Sequence, residues 1–331
     1  MAEKRKIYFR ADAGPEIGYG HFIRSLALAD MLKQDFDCTM FTQTPTDYQL
    51  DEAKDICPVV ALPADNSKFG VFLDQLLGDG IVVLDNYFYD TDYQRLIKRK
   101  GCRLICIDDM HDKHFVADAV INSAPNIEAA NYDIEPDTQL YLGLDYIMLR
   151  REFREATLSK QHLERGKEVF VCFGGSDEHD FTQRTCRILL ENTEYHIHAI
   201  VGGGYQYRQT LKTMNTDRVS VYSNLQARDM VRLMQQSSFA VVPLSTTFLE
   251  TCCTRTPIIT GYDVDNQLNM ARSEIINSMC YNCGNLFENF EQNLLTGIVM
   301  MNSCCRADII ESQIRNVHDS SQNIRKIFES L

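Results

Sequence analysis

KIYFRADAGPEIGYGHFIRSLALADMLK, residues 6 to 33, holds three kinds of segment in an order that specifies one supersecondary unit. Residues 6–10 are short and apolar through Ile7, Tyr8 and Phe9, and read as a buried strand. Residues 12–20 form a glycine-containing loop. From His21 to about Lys33 the apolar residues Phe22, Leu26, Ala29 and Leu32 recur near the helical repeat, which predicts a helix. Strand, glycine loop and helix in that order are the opening of an α/β domain.

The same alternation continues down the chain. Strands are expected at 38–41, 59–62, 81–84, 104–107 and 119–121, with helices at 69–77 and 92–100 between them. β-branched strands alternating with helices imply a parallel sheet covered on both faces, so the first domain is doubly wound. Between Arg150 and Lys167 the pattern is charged and helical, and the domain junction falls there: 1–152 and 153–331. A second series of strands follows at 169–173, 196–201, 219–221, 240–242 and 258–259, with helices at 181–191 and 227–236. The tail from Ser303 carries an apolar stripe of Ile309, Ile310, Ile314, Val317, Ile324, Ile327 and Phe328, which should pack on a domain, with the last helix returning to the N-terminal one.

At 331 residues the chain is about two domains long, with 44% hydrophobic and 24% charged residues. A formal charge of -13 repels polyanions and argues against nucleic acid as a partner. A small anion needs only local donors and stays open. No secretory h-region or membrane-length apolar run is read, so a cytoplasmic protein without membrane insertion is expected. The 12 cysteines are scattered, with neighbours at Cys252/Cys253 and Cys304/Cys305, which fits a reducing compartment better than a disulfide framework.

Ligands of parallel sheets bind beyond the carboxyl ends of the strands. Three loops have suitable composition there. The first offers Gly18 and Gly20 for close backbone approach, His21 at a helix start that suits a neutral base, and Arg24 one turn later; the glycines equally suit a plain turn. The second has Gly174 and Gly175 to curl the main chain, with Ser176 or Asp177 capping the next helix so that its N–H groups face phosphate. The third has hydroxyls at Ser245, Thr246 and Thr247, and Glu250 one turn into a helix, placed for ribose hydroxyls or as a capping-box partner of Thr247.

These loops in order resemble the PseG-type hydrolases of pseudaminic acid synthesis, which act on a UDP-linked diacetamido-trideoxy sugar, and the related SpsG spore-coat polysaccharide proteins. The likeness is carried by FRADAGPEIGYGHFIRSLALA at 9–29, VVLDNY at 82–87, ICIDD at 105–109, LGLDYIMLRREF at 142–153, FGGSD at 173–177, and STTFLETCCTRTP with DNQ at 245–267. The family is similar in architecture to MurG-type glycosyltransferases. The resemblance therefore implies a GT-B-like fold, two Rossmann-like doubly wound domains facing a central cleft, with the sugar on the N-terminal side and UDP on the C-terminal side.

It further implies metal-free hydrolysis by water, without a cofactor, with His21 as base. Tyr87 would orient water or a sugar substituent, with Asp85 and Asn86 beside it. Gly174, Gly175 and Ser176 would lie on the phosphate side, Glu250 on the ribose, and Asn266 and Gln267 toward sugar and phosphates. Leu244 and Ser245 stand where the family has glycines, and Leu249 where it has an aromatic residue, so hydroxyls would replace backbone approach to phosphate. Other enzymes of the same sugar pathway are candidate partners. A glycosyltransferase with a UDP-sugar donor, or a non-catalytic nucleotide-sugar binding protein, would use much of the same machinery. Cys280-x-x-Cys283 and His111-x-x-His114 lie in different domains and make poor metal half-sites. Asp108 and Asp109 read as turn caps or sugar contacts.

Overall fold

The computed structural model describes residues 4–14, 17–159, 164–214, 217–303 and 305–331. Pro15 and Glu16 of the glycine loop, residues 160–163 of the junction, and Cys304 lie outside the described residues. Two compact units emerge, the first Met1–Arg151 with Ser320–Leu331, the second Glu152–Asp319.

In the first unit the order is β1 (Lys6–Arg10), α1 (Gly20–Leu32), β2 (Asp37–Gln43), α2 (Asp47–Ala53), β3 (Val59–Leu62), α3 (Ser67–Asp74), β4 (Ile81–Leu84), α4 (Thr91–Arg99), β5 (Arg103–Ile107), β6 (His114–Phe115), β7 (Ala119–Asn122), β8 (Asp133–Ile134) and β9 (Gln139–Leu142). Seven strands pair in the order β3-β2-β1-β4-β5-β7-β9, all parallel. Every residue of β4 is buried, because this central strand is covered on both faces. Helix α1 turns Phe22, Leu26 and Ala29 into the core with Ile7 and Phe9 of β1. Sharp helix starts come from local chemistry: Thr46 and Gln49 form a capping box on α2, and Asp90 accepts from the Tyr93 N–H on α4.

Helix α5 (Arg151–Leu158) leads into the second unit. There follow β10 (Glu168–Val171), α6 (Phe181–Asn192), β11 (His196–Val201), α7 (Arg208–Thr213), β12 (Val219–Ser223), α8 (Ala227–Gln236), β13 (Phe239–Val241), α9 (Thr246–Cys253), β14 (Ile258–Tyr262), α10 (Leu268–Ala271), α11 (Glu274–Ser278), β15 (Tyr281–Asn285), α12 (Phe290–Met301) and α13 (Cys305–Asn316). Its six strands run parallel in the order β12-β11-β10-β13-β14-β15.

The tail departs from a single stripe. Ile309 and Val317 are buried, whereas Ile314 is 52% exposed. Helix α14 (Ser321–Glu329) belongs to the first unit, where Ile324, Ile327 and Phe328 join the core around α1. A short polar turn between α13 and α14 ends one apolar face and starts another, so the seven residues never formed one surface.

Candidate functional site

In each sheet the strand order reverses direction beside the first strand, at β1/β4 and at β10/β13, and it is at such reversals that parallel sheets bind their ligands. The glycine loop after β1 and the DNY segment after β4 meet at the first reversal. The loops at 172–177 and 243–247 leave the strands of the second.

His21 is the second residue of α1, and its Nδ1 lies 2.7 Å from Oδ1 of Asp85, the first residue past β4. Asp85 is fully buried and also accepts from Arg24 Nη2 at 2.6 Å, Arg24 Nε at 3.0 Å and Ser25 Oγ at 3.1 Å. Burial works to raise the Asp85 pKa, but the charge of Arg24 and the contact with His21 outweigh it and hold the carboxyl at about 2. Asp85 is therefore an anion. Arg24 Nη2 lies 3.3 Å from the same imidazole nitrogen, but an arginine can only donate, so the carboxylate fixes the hydrogen of neutral His21 on Nδ1. The lone pair is left on Nε2.

Arg24 continues to Asp109, donating from Nη1 at 2.7 Å and Nη2 at 3.0 Å. Burial disfavours its charge, yet Asp109 and Asp85 raise its pKa well above the ordinary value. Tyr87 OH donates to Asp109 Oδ2 at 3.2 Å, and the Tyr87 ring meets His21 edge to face with centroids 4.7 Å apart. His21, Arg24, Asp85 and Tyr87 thus form one array with Asp109. Asn86 is turned the other way: its side chain accepts from the Asp12 N–H at 2.7 Å and donates to the Asp12 carbonyl at 3.3 Å. Gly18 has a positive φ of 77° and exchanges backbone hydrogen bonds with Gly14; Gly20 opens α1.

Beneath this array lies a buried knot. Asp12 pairs with Arg10, accepts from Lys68 Nζ at 2.9 Å and from the Gln43 N–H at 2.8 Å. Burial raises its pKa, but Arg10 and Lys68 overcome that and keep it low. Lys68 also donates to Gln43 Oε1 at 2.7 Å and lies over the Phe88 ring at 4.9 Å. The ends of β1, β2 and β4 are tied together by these bonds.

In the second unit Gly174 takes a φ of +85°, and Gly175 approaches Gly202 so closely that a Cβ on Gly202 would lie 2.4 Å from the Gly175 Cα. The helix after this loop corrects one expectation. Asp177 does cap α6, but its carboxylate accepts from the Phe181 N–H at 2.9 Å and the Thr182 N–H at 2.8 Å, so those donors are already used instead of facing phosphate. Gly174, Gly175 and Ser176 remain partly exposed before it. On α9 the cap is Ser245, whose Oγ accepts from the Thr247 N–H at 3.3 Å, so Glu250 is not the capping-box partner of Thr247. Thr246 and Thr247 sit in the first turn of α9, and Glu250 is buried farther along it. Asn266 and Gln267 lie in a single 3-10 turn, where Gln267 Oε1 accepts from the Asp263 N–H at 3.1 Å.

Asp12, Ser25 and Lys68 did not stand out in the sequence, and Asp109 stood out only as a turn cap or sugar contact. Asp108 caps a turn through the Met110 and His111 N–H groups, whereas Asp109, instead of capping a turn, accepts from Arg24 and Tyr87. Among the described residues no group of three His, Cys, Asp or Glu side chains is placed to hold a metal. His114 is instead bonded to Asp133 and Glu135, and Cys280 and Cys283 are buried thiols.

Comparison with known proteins adds kinship to this geometry. No family model matches the chain. An uncharacterised protein of Methanocaldococcus jannaschii is 25% identical over 278 residues, 79% of this chain and 56% of that protein. UDP-2,4-diacetamido-2,4,6-trideoxy-beta-L-altropyranose hydrolase of Campylobacter jejuni is 28% identical over 176 residues, 52% of this chain and 61% of the hydrolase. Spore coat polysaccharide biosynthesis protein SpsG of Bacillus subtilis is 22% identical over 278 residues, 80% and 79% of the two chains. The chain is similar to the PseG-type hydrolases and to SpsG. Against the first two it spans less than two thirds of their length. Among solved structures, Acinetobacter baumannii MurG matches with a TM-score of 0.62 at 14% identity over 99% of this chain and all of MurG, and S. aureus MnaA in complex with UDP with 0.66 at 13% over 98% and 96%. The two parallel α/β units are those of a GT-B fold. Among the described residues no helix is long and apolar enough to cross a membrane.

Proposed function

We propose that the protein hydrolyses a UDP-linked diacetamido-trideoxy sugar to UDP and free sugar, in nonulosonic acid or surface polysaccharide synthesis. The observation that carries this reading is the His21 imidazole, fixed by a buried anionic Asp85 with Nε2 as its basic nitrogen, beside Tyr87 at the strand reversal of the first unit. Water attacks the anomeric carbon, its proton passes to His21 Nε2, and the bond to the diphosphate oxygen breaks with its electron pair leaving on UDP. Tyr87 orients the water or a sugar substituent. Asp85 and Arg24 act through the imidazole and are positioning residues.

The second unit supplies the grip on the nucleotide in this proposal. Gly174, Gly175 and Ser176, with Thr246 and Thr247, serve the phosphates, Glu250 the ribose, and Asn266 and Gln267 the sugar-phosphate end. With Phe181 and Thr182 N–H groups occupied by Asp177, the loop backbone and the α9 hydroxyls take the phosphate role that an open helix start would have had.

The test is incubation of the purified protein with candidate UDP-sugars, with and without a hydroxyl acceptor, following UDP by chromatography. Release in water alone supports the hydrolase. Release only with acceptor makes the protein a glycosyltransferase, and binding without turnover makes it a nucleotide-sugar binding protein. His21→Ala is expected to lower release ~10²–10⁴-fold, the usual worth of general-base help, while sparing UDP affinity.

A further inference from the structure

Between β5 and β7 the chain passes through residues 108–116, and side chains of this strap hold the turn that carries Tyr87 at both of its polar ends. Asp109 Oδ2 accepts from the Tyr87 hydroxyl at 3.2 Å. Lys113 Nζ donates to the Tyr87 carbonyl at 2.7 Å and lies 3.5 Å from the Tyr89 carbonyl. Tyr87 is 42% exposed, and these bonds fix its hydroxyl and its carbonyl while its ring meets His21.

The strap is itself fixed from several sides. The Asp108 carboxylate accepts from the Met110 and His111 N–H groups and from Tyr132 OH at 2.9 Å. His111 takes a φ of +45°, in the left-handed region that few non-glycine residues adopt. Thr91 Oγ1 donates to the His114 carbonyl at 2.6 Å, and the Val116 N–H donates to Gln94 Oε1 at 3.0 Å, so α4 holds the strap along its length.

His114 completes the hold. Its Nδ1 lies 2.8 Å from Asp133 and its Nε2 3.1 Å from Glu135, one residue beyond β6's short partner β8. A neutral imidazole carries one N–H and can satisfy one of two carboxylates; only the imidazolium donates to both. The titratable groups facing it are Asp133 and Glu135, while α4 presents the Thr91 hydroxyl and the Gln94 amide, and Asp112 pairs with Lys113 on the strap itself.

We propose that residues 108–116 are a clamp that positions Tyr87 against His21, with Lys113 gripping the turn, His114 latching the strap to β8, and the hold tightening as His114 takes up a proton. Lys113 and His114 are positioning residues, and the effect on turnover rests on the hydrolase reading given above. The pH sense follows from His114: hydrogen bonds to Asp133 and then Glu135 raise its pKa above the ordinary value. Its contribution is complete below the unfolded value and is lost as pH rises through the folded one.

The experiment combines hydrogen exchange and steady-state kinetics on the full chain. In Lys113→Met, amides of residues 85–91 are expected to exchange about tenfold faster, corrected for intrinsic rates, with β1 and β4 unchanged, and Lys113→Arg restores protection. The same variant should lose about tenfold in kcat with KM within about twofold, the signature of misplacement without lost binding. In the wild type, protection of 85–91 should fall from pH 5.5 to 8.5, and His114→Gln, a surface change that spares folding, should flatten that dependence. Unaltered exchange at 85–91 in Lys113→Met, or exchange rising evenly across the first unit, would overturn the clamp whatever the activity. If exchange shifts as described but no UDP-sugar is hydrolysed by the wild type, the clamp stands and the hydrolase reading falls.

Discussion

At the scale of single residues, the centre of the first unit is a chain of charges ordered by Asp85. Asp85→Asn keeps the shape but removes the anion, so His21 loses the partner that holds its hydrogen on Nδ1, and Arg24 keeps only Asp109. If His21 is the base proposed above, UDP release should fall ~10³-fold with little change in KM, the consequence of a base left in the wrong tautomer. The pH dependence has a definite sign. Because the folded pKa is lowered to about 2, the ion pairs of Asp85 contribute fully above the ordinary carboxylate range and are lost as pH falls from there through about 2. Acid unfolding of the first unit, followed by circular dichroism, should show this step in the wild type and lose it in Asp85→Asn. His21, Asp85 and Tyr87 were legible because each falls just past a strand or at a helix start. The pairings of Asp109 with Arg24 and of Lys68 with Asp12 were not: they join residues 85 and 56 apart, and no spacing in one sequence discloses a pairing made only by the sheet.

At the scale of elements, several strands and helices were read to the residue, while others, such as α3 and β14, were read two or three residues out. β4, β11 and α8 match their expected limits because a buried strand or a helix with one apolar face imprints its period on the sequence, and the edge strand β3 matches because its four residues are all apolar. β9 and β15 escaped. Both are edge strands, with mixed or half-exposed side chains that carry no such period. In the second unit the start of α6 is closed by Asp177. Asp177→Ala removes the two hydrogen bonds that close the beginning of α6, at a cost of ~1 kcal/mol, seen as a lower denaturant midpoint of the second unit. The same change frees the Phe181 and Thr182 N–H groups. If Gly174–Ser176 backbone and α9 hydroxyls already serve the diphosphate, UDP affinity measured by calorimetry should stay within about threefold of wild type, less than 1 kcal/mol. A gain of about tenfold or more would show that the native cap excludes phosphate from the site.

At the scale of the whole chain, two parallel sheets with the same order of winding arise from one repeated instruction, strand then loop then helix, and the last helix breaks the simple succession by returning to the first unit. Its hold there is mixed. Ile324, Ile327 and Phe328 are buried with α1, Phe328 meets Phe36 at 6.2 Å between ring centroids, Ser320 Oγ donates to the Ile147 carbonyl, and Arg325 pairs with Asp35 at 3.0 Å. The exposed Arg325 pair is worth at most about 1 kcal/mol, so the apolar face decides. Phe328→Ala leaves a cavity in a core that cannot fully collapse and should cost ~3–5 kcal/mol. That loss belongs to the first unit, because the side chain packs in the core of that unit. Differential scanning calorimetry should therefore show one transition moved to lower temperature and the other in place, whereas Arg325→Ala should move neither by more than a degree or two. Equal shifts of both transitions in Phe328→Ala would mean that α14 stabilises the chain as a whole and not the sheet around His21.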